Sequence, residues 1–263
     1  MSYLWNPSTT IRNSNRIPHF LETAQEIEGN YWTNSTMVEY QIRLIKNRYY
    51  HPQKNFHPLM RNNTLTYAEA EIIFNAQNYT DPPMRGRVSL SPLRKLGLVG
   101  IDQYNRVYLT DSGRYFIQYP LDITTCMLEW RFQNQANIRP FVATIRFIYE
   151  LDQRLNSNNG ITYSEFGHYV MTLSYFNDIS PRVQYLLDVR SGASRPISIN
   201  QLSNTFYNFN DYDDYLDNNI RYLNQSSIID VSNNRVRLNY ANINIIRSII
   251  NTFDGSATQN IFR

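Results

Sequence analysis

Residues 85–95 concentrate side chains that bind phosphate and read DNA bases. The segment holds four cations and two hydroxyls with no carboxylate among them: Arg85, Arg87, Ser89, Ser91, Arg94 and Lys95. An arginine fork can grip a phosphate, or guanine O6 and N7, through two hydrogen bonds at once. Serine hydroxyls and the amides at a helix start add further donors. The pattern favours contact with duplex DNA over the alternative, a solvated helix face.

The type of cation is more informative than the net charge. Lysine occurs only at Lys46, Lys54 and Lys95, and nearly every other positive charge is arginine. The net charge of +3 is only mildly basic, so charge alone does not establish nucleic-acid binding. Codon bias or protein–protein ion pairs would explain the arginine content equally well, and composition leaves these alternatives open.

We expect further DNA contacts at the tip of a predicted hairpin, in the polar N-terminal stretch and in a segment near 180–190. The residues are Asn105, Arg106, Arg12, Arg16, Arg182, Gln184 and Arg190. The helix predicted before a second hairpin begins D-Y-D-D-Y-L-D at 211–217, and its carboxylates would repel phosphate. In the second half of the chain we therefore favour the segment near 180–190 as the contact.

Catalytic patterns are missing from the sequence. A metal-dependent nuclease core needs two carboxylates for Mg²⁺ and a lysine two residues after an acid, and no acid stands there before any lysine. His51 and His57 are each followed by proline without cysteine or acidic companions, which favours solvent or packing roles. The single Cys126 excludes an internal disulfide. We predict no catalytic residue, no metal ligand and no cofactor in this chain, with Mg²⁺ expected only for a separate nuclease domain.

Three short motifs occur twice in the same order, which indicates two copies of one unit. The pairs are I-R-L-I at 42–45 with I-R-F-I at 145–148, T-Y-A-E at 66–69 with T-Y-S-E at 162–165, and N-R-V-Y-L at 105–109 with N-R-V-R-L at 234–238. The first pair lies in amphipathic helices, because apolar residues recur there at three- and four-residue spacing. The second pair predicts capping boxes that open helices 66–78 and 162–174. The third pair alternates like the return strand of a hairpin.

The first copy continues with a helix near 85–96, strands 98–101 and 106–109, and a closing helix that buries Tyr115 and Phe116. The second copy predicts strands 227–231 and 235–238, then a helix over 241–253. Helices followed by a two-stranded hairpin are typical of the winged helix-turn-helix. The predicted fold is therefore mainly α with small β wings (α+β), as two tandem winged units. The predicted domains are an N-terminal arm 1–33, unit 34–125, and unit 126–263 with an insertion near 178–210 that holds a helix near 180–190.

Three stretches of the chain resemble the AlwI-type family of type IIS restriction and nicking endonucleases. They are R-N-S-N-R-I-P-H-F-L-E-T-A-Q-E-I-E-G-N-Y-W at 12–32, R-G-R-V-S-L-S-P-L-R-K-L-G-L-V at 85–99, and I-R-P-F-V-A-T-I-R-F-I at 138–148. Arg85, Arg87, Pro92 and Gly97 match positions of the family's second motif, whereas Gly86 replaces its usual acid. The resemblance implies the DNA-recognition half of such an enzyme, with the cleavage half outside these residues.

The resemblance implies double-stranded DNA with an asymmetric site as partner, a nuclease domain or subunit, and a cognate methyltransferase system. The alternative function is a stand-alone DNA-binding regulator, although regulators usually dimerise on palindromes. No apolar run approaches the length of a membrane span, and residues 1–30 are polar. We therefore expect no membrane association and a cytoplasmic location.

Overall fold

The computed structural model of the chain describes residues 3–7, 10–53, 56–119, 123–132 and 136–253. They form helices and two small antiparallel sheets, which confirms the α+β class. The chain divides into a continuous unit, Asn13–Leu121, and a split unit made of Met1–Arg12 and Asp122–Arg263. None of the described helices has the length and apolar character to span a membrane.

The continuous unit consists of helices that precede and follow one hairpin. Its elements are α1 (Ile17–Gln25), α2 (Asn34–Lys46), α3 (Tyr67–Asn75), α4 (Pro82–Lys95), β1 (Val99–Ile101), β2 (Val107–Leu109) and α5 (Asp111–Gln118). Strand β1 pairs antiparallel with β2, with Val99 opposite Leu109. The predicted third helix, hairpin and closing helix are therefore all present, with bounds shifted by a few residues.

Local signals explain where α3 and α4 begin and end. Thr66 and Glu69 form the predicted capping box, because each accepts the backbone amide of the other. Asp81 caps α4 by accepting from the amide of Met84 at 3.1 Å, and a proline follows it at the first helical position. Gly97 ends the segment with a φ of +70°, which glycine adopts without steric cost.

Helix α2 packs against both α3 and α4. Between α2 and α3 lies a cluster of buried apolar side chains, namely Ile42, Ile45, Leu65, Ala70, Ile73 and Phe74. The contact with α4 is closer, because a Cβ atom at Gly86 would lie only 2.0 Å from the carbonyl oxygen of Met37. Helices α2 and α4 therefore touch through their backbones at Gly86.

The split unit holds most of the remaining helices and a three-stranded sheet. Its elements are α6 (Ile123–Glu129), α7 (Pro140–Leu155), β3 (Ile161–Thr162), α8 (Tyr163–Glu165), α9 (Ile179–Arg190), α10 (Ile199–Thr205), α11 (Tyr212–Leu223), β4 (Ile229–Ser232), β5 (Arg235–Leu238) and α12 (Ile243–Thr252). The strand order is β3-β5-β4, all antiparallel. Asn233 and Asn234 form the β4–β5 turn with positive φ angles, as a tight hairpin requires.

Residues near the N-terminus are built into the split unit. Trp5 is fully buried, and its Nε1 donates to the carbonyl oxygen of Leu173 at 2.7 Å. Asn219 donates to the carbonyl oxygen of Trp5 at 3.0 Å, and the Tyr222 hydroxyl donates to that of Ile11 at 2.7 Å. Buried hydrogen bonds of this kind fix a segment firmly, because unpairing them leaves polar groups without water.

A buried ion pair joins α6 to the start of α7. Arg139 has no exposed side-chain surface, and its Nη1 lies 3.5 Å from Oε2 of Glu129, whose side chain is 11% exposed. The same nitrogen donates to the carbonyl oxygen of Leu128 at 2.8 Å. Arg131 also reaches Glu129, at 3.3 Å. The arginine of the I-R-P motif therefore has a structural role in the split unit.

Several local predictions need correction. Tyr115 is 54% exposed, whereas Phe116 is buried as predicted, because only one of two adjacent helical residues faces the core. The second helix of the second copy opens with its predicted capping box at Thr162 and Glu165. It then continues as a π-helical turn and ends at Val170, short of the predicted residue 174.

The two units also differ from the predicted domain bounds. Residues 1–33 do not form one arm, because 1–12 belong to the split unit and 13–33 to the continuous unit, including α1. The boundary between the units falls at 121/122 instead of 125/126. The insertion predicted near 178–210 contains α9 and α10.

Candidate nucleic-acid interface

One face of α4 is open to solvent and carries four of the six DNA-binding side chains predicted in residues 85–95. Gly86, Ser89, Leu90 and Leu93 are buried against the unit. The opposite face is exposed or half-exposed and consists of Met84, Arg87, Val88, Ser91, Arg94 and Lys95. Their three- and four-residue spacing places them in one row along the helix. We call this row the α4 face.

Arg85 and Arg87 lie near the start of α4 and differ in their surroundings. The Arg85 guanidinium lies 4.6 Å from the centre of the Tyr79 ring, which orients it by a cation–π contact. Its Nε is buried with no acceptor among the described residues. Arg87 is 44% exposed and pairs with Asp81 at 2.6 Å. An exposed pair of this kind is weak, so Arg87 can exchange its partner for a phosphate or a base.

The C-terminal end of the α4 face carries two more cations. Arg94 is exposed and forms no ion pair with any described residue. Lys95 is half-buried, and burial lowers the pKa of its ammonium to about 8. The side chain is therefore mostly protonated at neutral pH and loses its charge as the pH rises through about 8. A phosphate beside it would favour the charged form.

Ser89 cannot contact DNA directly and is a correction to the predicted site. Its side chain is 1% exposed, and its hydroxyl donates to Oε1 of Gln41 at 2.7 Å inside the unit. The helical period explains the result, because Ser89 lies between the buried Gly86 and Leu93 on the face that packs on α2.

The predicted residues at the hairpin tip make contacts within their own unit. Asn105 has a φ of +61° and donates from Nδ2 to the carbonyl oxygen of Trp32 at 3.0 Å. Arg106 pairs with Asp102 at 3.0 Å and lies over the Tyr104 ring at 5.2 Å. Tyr104 is 61% exposed. These contacts give the hairpin tip a fixed shape and leave an aromatic ring at its surface.

Arg12 and Arg16 belong to different units. Arg12, in the split unit, pairs with Asp214 at 3.0 Å, and both side chains are about half exposed. Arg16, in the continuous unit, donates to the carbonyl oxygen of Tyr49 and lies over the Phe20 ring at 5.2 Å. Of these two arginines, Arg16 alone has no carboxylate partner among the described residues.

The α9 side chains that were predicted to contact DNA form hydrogen bonds within the split unit. Arg190 donates from two nitrogens to the carboxylate of Glu165, at 2.8 Å each, and to the carbonyl oxygen of Gly160. Gln184 accepts from Arg154 and donates to Asp188. Because a bidentate arginine–carboxylate pair is strong, Arg190 is held as a structural residue of the unit.

Arg182 lines a cavity of about 440 Å³ together with Asp178, Tyr185 and Ile197. It donates to the hydroxyl of Thr172 at 3.2 Å, and desolvation lowers its pKa. The three predicted α9 residues therefore do not form an open cationic row like that of α4.

Helix α11 is acidic on its exposed side, as the sequence predicted. Asp213 and Asp214 are exposed near its start, and Arg221 pairs with Asp217 at 2.7 Å. Asn218 and Asn219 are buried. This face therefore repels phosphate, and the α4 face remains the best candidate interface among the described residues. Those residues contain no cluster of three potential metal ligands.

Sequence reasoning missed two basic residues of the continuous unit, Arg48 and His51. Arg48 follows α2 with a φ of +64°, and His51 is exposed shortly after it. The sequence does contain a signal for them, because the run R-Y-Y-H directly follows a predicted helix. The proline after His51 favours a solvent or packing role for that histidine and takes no account of the run.

No protein-family model matches this chain, and no curated protein matches it. A solved structure does: the BpuJ1 endonuclease binding domain, crystallised with pyrene- and phenanthrene-modified DNA. The alignment covers 100% of this chain and 89% of that chain, with a TM-score of 0.59 and 12% sequence identity. The chain therefore shares its fold with the BpuJ1 endonuclease binding domain.

Proposed function

We propose that this chain binds duplex DNA sequence-specifically through the α4 face, with the continuous unit acting as a winged helix. The observation that carries the proposal is the open row of Arg87, Ser91, Arg94 and Lys95 on one helix. In a winged helix the third helix enters the major groove and the hairpin approaches the backbone. Helices α2, α3 and α4 followed by the β1–β2 hairpin have that order.

The finer proposal is a target-recognition module of a type IIS restriction or nicking endonuclease. It is supported by the shared fold with an endonuclease binding domain and by the resemblance of residues 85–99 to the AlwI-type motif. Cleavage is then assigned to a separate nuclease domain or subunit, which would bring the Mg²⁺. A cognate methyltransferase would protect the site in the host, and the location would be cytoplasmic.

Selection of bound sequences from a random duplex library tests this function. We expect the purified chain to enrich one asymmetric site. Enrichment of a palindrome bound by two copies would instead indicate a stand-alone regulator. No enrichment, together with equal affinity for all duplexes, would refute sequence-specific recognition.

Arg87→Ala is expected to weaken binding to the selected site by about 1–3 kcal/mol and to relax preference at one base pair. The exposed pair with Asp81 contributes little, so the melting temperature should hardly change. Arg114→Ala is the matched control, because Arg114 is 49% exposed and pairs with Glu28 in the same unit. Equal effects of the two substitutions on binding would contradict a role for Arg87 in base reading.

The affinity for DNA is expected to fall as the pH rises from about 7 to about 9, because Lys95 loses its proton near pH 8. The expected slope is at most about tenfold in Kd per pH unit above the pKa. Lys95→Arg should remove this dependence, since arginine stays charged throughout. Equal pH profiles of the wild type and the variant would rule out a phosphate contact at Lys95.

A further inference from the structure

A second group of basic side chains lies where the chain leaves α2 in the continuous unit. Arg48 lies two residues after the last residue of α2, and His51 comes three residues later. Arg16, from the segment before α1, is held at the same turn because it donates to the carbonyl oxygen of Tyr49. The turn therefore brings together two arginines and a histidine from two separate parts of the unit.

The arginines of this turn are anchored by neutral acceptors. Arg48 donates to the carbonyl oxygen of Met60 at 3.1 Å, and Arg16 uses the Tyr49 carbonyl. Neither arginine forms an ion pair within the described part of the chain. A carbonyl orients a guanidinium without cancelling its charge, so both remain available to an anion.

Two carboxylates from the end of α1 and the residue after it contact Asn47 and Tyr49 of this turn. Glu22 accepts from the Tyr49 hydroxyl at 3.1 Å and lies 3.6 Å from His19. Glu26 accepts from Arg43 and from Asn47. Neither carboxylate is among the charges that act on His51, which are those of Arg48 and Arg16.

The pKa of His51 reflects the positive electrostatic field at the turn. Partial burial lowers the pKa of its imidazole, and the positive charges of Arg48 and Arg16 lower it further. The exposed ring makes no hydrogen bond to a described residue. An anion bound at the turn would offset the positive charges of the two arginines and raise the pKa of the ring, which favours its protonated form.

The turn continues toward the start of α4. Tyr50 precedes His51 and packs with Tyr79 on the same apolar cluster, and their hydroxyls share a hydrogen bond. The Arg85 guanidinium lies on the Tyr79 ring. The turn is therefore linked by contact to Arg85 at the start of α4, and a continuous polyanion fits such a series of basic residues better than an isolated ion.

We propose that Arg16, Arg48 and His51 form a second phosphate-binding site, which holds the backbone of the same DNA duplex that the α4 face reads. This inference rests on the proposed function and names a further contact for it. The site positions the duplex without reading bases, because all three groups would bind phosphate oxygens.

The salt dependence of affinity tests the proposal. Duplex binding is measured from about 50 mM to about 200 mM salt for the full chain, for Arg16→Gln/Arg48→Gln, for His51→Gln and for the control Arg114→Gln. Each lost phosphate contact is expected to reduce the slope of log K against log salt by about 0.9. The selected base sequence should remain unchanged. The wild type should bind more tightly as the pH falls from about 7.5 to about 6, and His51→Gln should lose most of that gain.

A folded double variant with the slope and affinity of Arg114→Gln would overturn the proposal. If the double variant fails to fold, His51→Gln decides, because an unchanged pH dependence and salt slope in that variant would also overturn it. Stabilisation of the wild type by inorganic phosphate, lost in the variants without any change in DNA binding, would assign a small anion and reject the DNA backbone. If the wild type binds DNA and Arg94→Ala weakens it while these variants do not, only this proposal fails. Failure of the wild type to bind DNA at all would refute the proposed function itself.

Discussion

Arg139→Met is expected to lower the free energy of unfolding of the split unit by about 3–5 kcal/mol. The substitution preserves much of the volume but leaves the carboxylate of Glu129 in a nearly buried place with one remaining cation, Arg131. It also removes the donor to the Leu128 carbonyl. A charge stranded in this way costs more than the intact pair contributes. Chemical denaturation followed by Trp fluorescence measures the loss.

Arg221→Met is the control for this substitution. Arg221 also pairs with a carboxylate in the split unit, but its side chain is 53% exposed, so the expected change is at most about 1 kcal/mol. Glu129→Gln combined with Arg139→Met should cost less than Arg139→Met alone, because it removes the stranded charge. Similar losses for Arg139→Met and Arg221→Met would contradict the role assigned to burial.

Gly86→Ala is expected to destabilise the continuous unit by about 2 kcal/mol, although the same change in an ordinary helix interior stabilises by about 0.5–1 kcal/mol. The new Cβ would meet the Met37 carbonyl oxygen at 2.0 Å. That neighbour is backbone of a second helix, so α2 and α4 must separate to admit it. Thermal and denaturant unfolding both report the change.

Ser91→Ala on the exposed side of α4 is the control for Gly86→Ala. It should leave the stability unchanged or raise it by about 0.5 kcal/mol. If Gly86→Ala lowers the stability and Ser91→Ala does not, the loss of stability arises from the contact between α2 and α4. A stabilising effect of Gly86→Ala would show that α2 and α4 do not touch there. The same geometry leaves no room for an acidic side chain at position 86.

The elements themselves could largely be predicted from the sequence, because their signals are local. Thr66 and Thr162 start helices through side chains three residues away, and Asn233 and Asn234 form a turn with their own backbone. These features depend on neighbours along the chain. The predicted hairpins therefore appear within a few residues of their expected bounds.

The partners of the polar side chains could not be predicted from the sequence, because they lie in distant segments of the chain. The sequence favours a DNA contact for Arg190, yet its side chain binds Glu165 of the capping box. The pattern of residues 85–95 groups Ser89 with the neighbouring cations, yet its helix presents it to Gln41 of α2. In the opposite direction, the proline after His51 favours a solvent or packing role, whereas Arg48 and, from far away in the chain, Arg16 give its surroundings their charge.

The split unit has a consequence for synthesis on the ribosome. The continuous unit is complete once residue 121 has been made, so it can fold while the rest of the chain is still being translated. Trp5 and Ile11 must wait for their partners Asn219 and Tyr222, which lie 214 and 211 residues later in the chain. Until then the N-terminal segment carries an unburied tryptophan that is exposed to chaperones and proteases. Docking of this segment closes a loop of most of the chain length, and the entropy cost of closing such a loop slows this folding step.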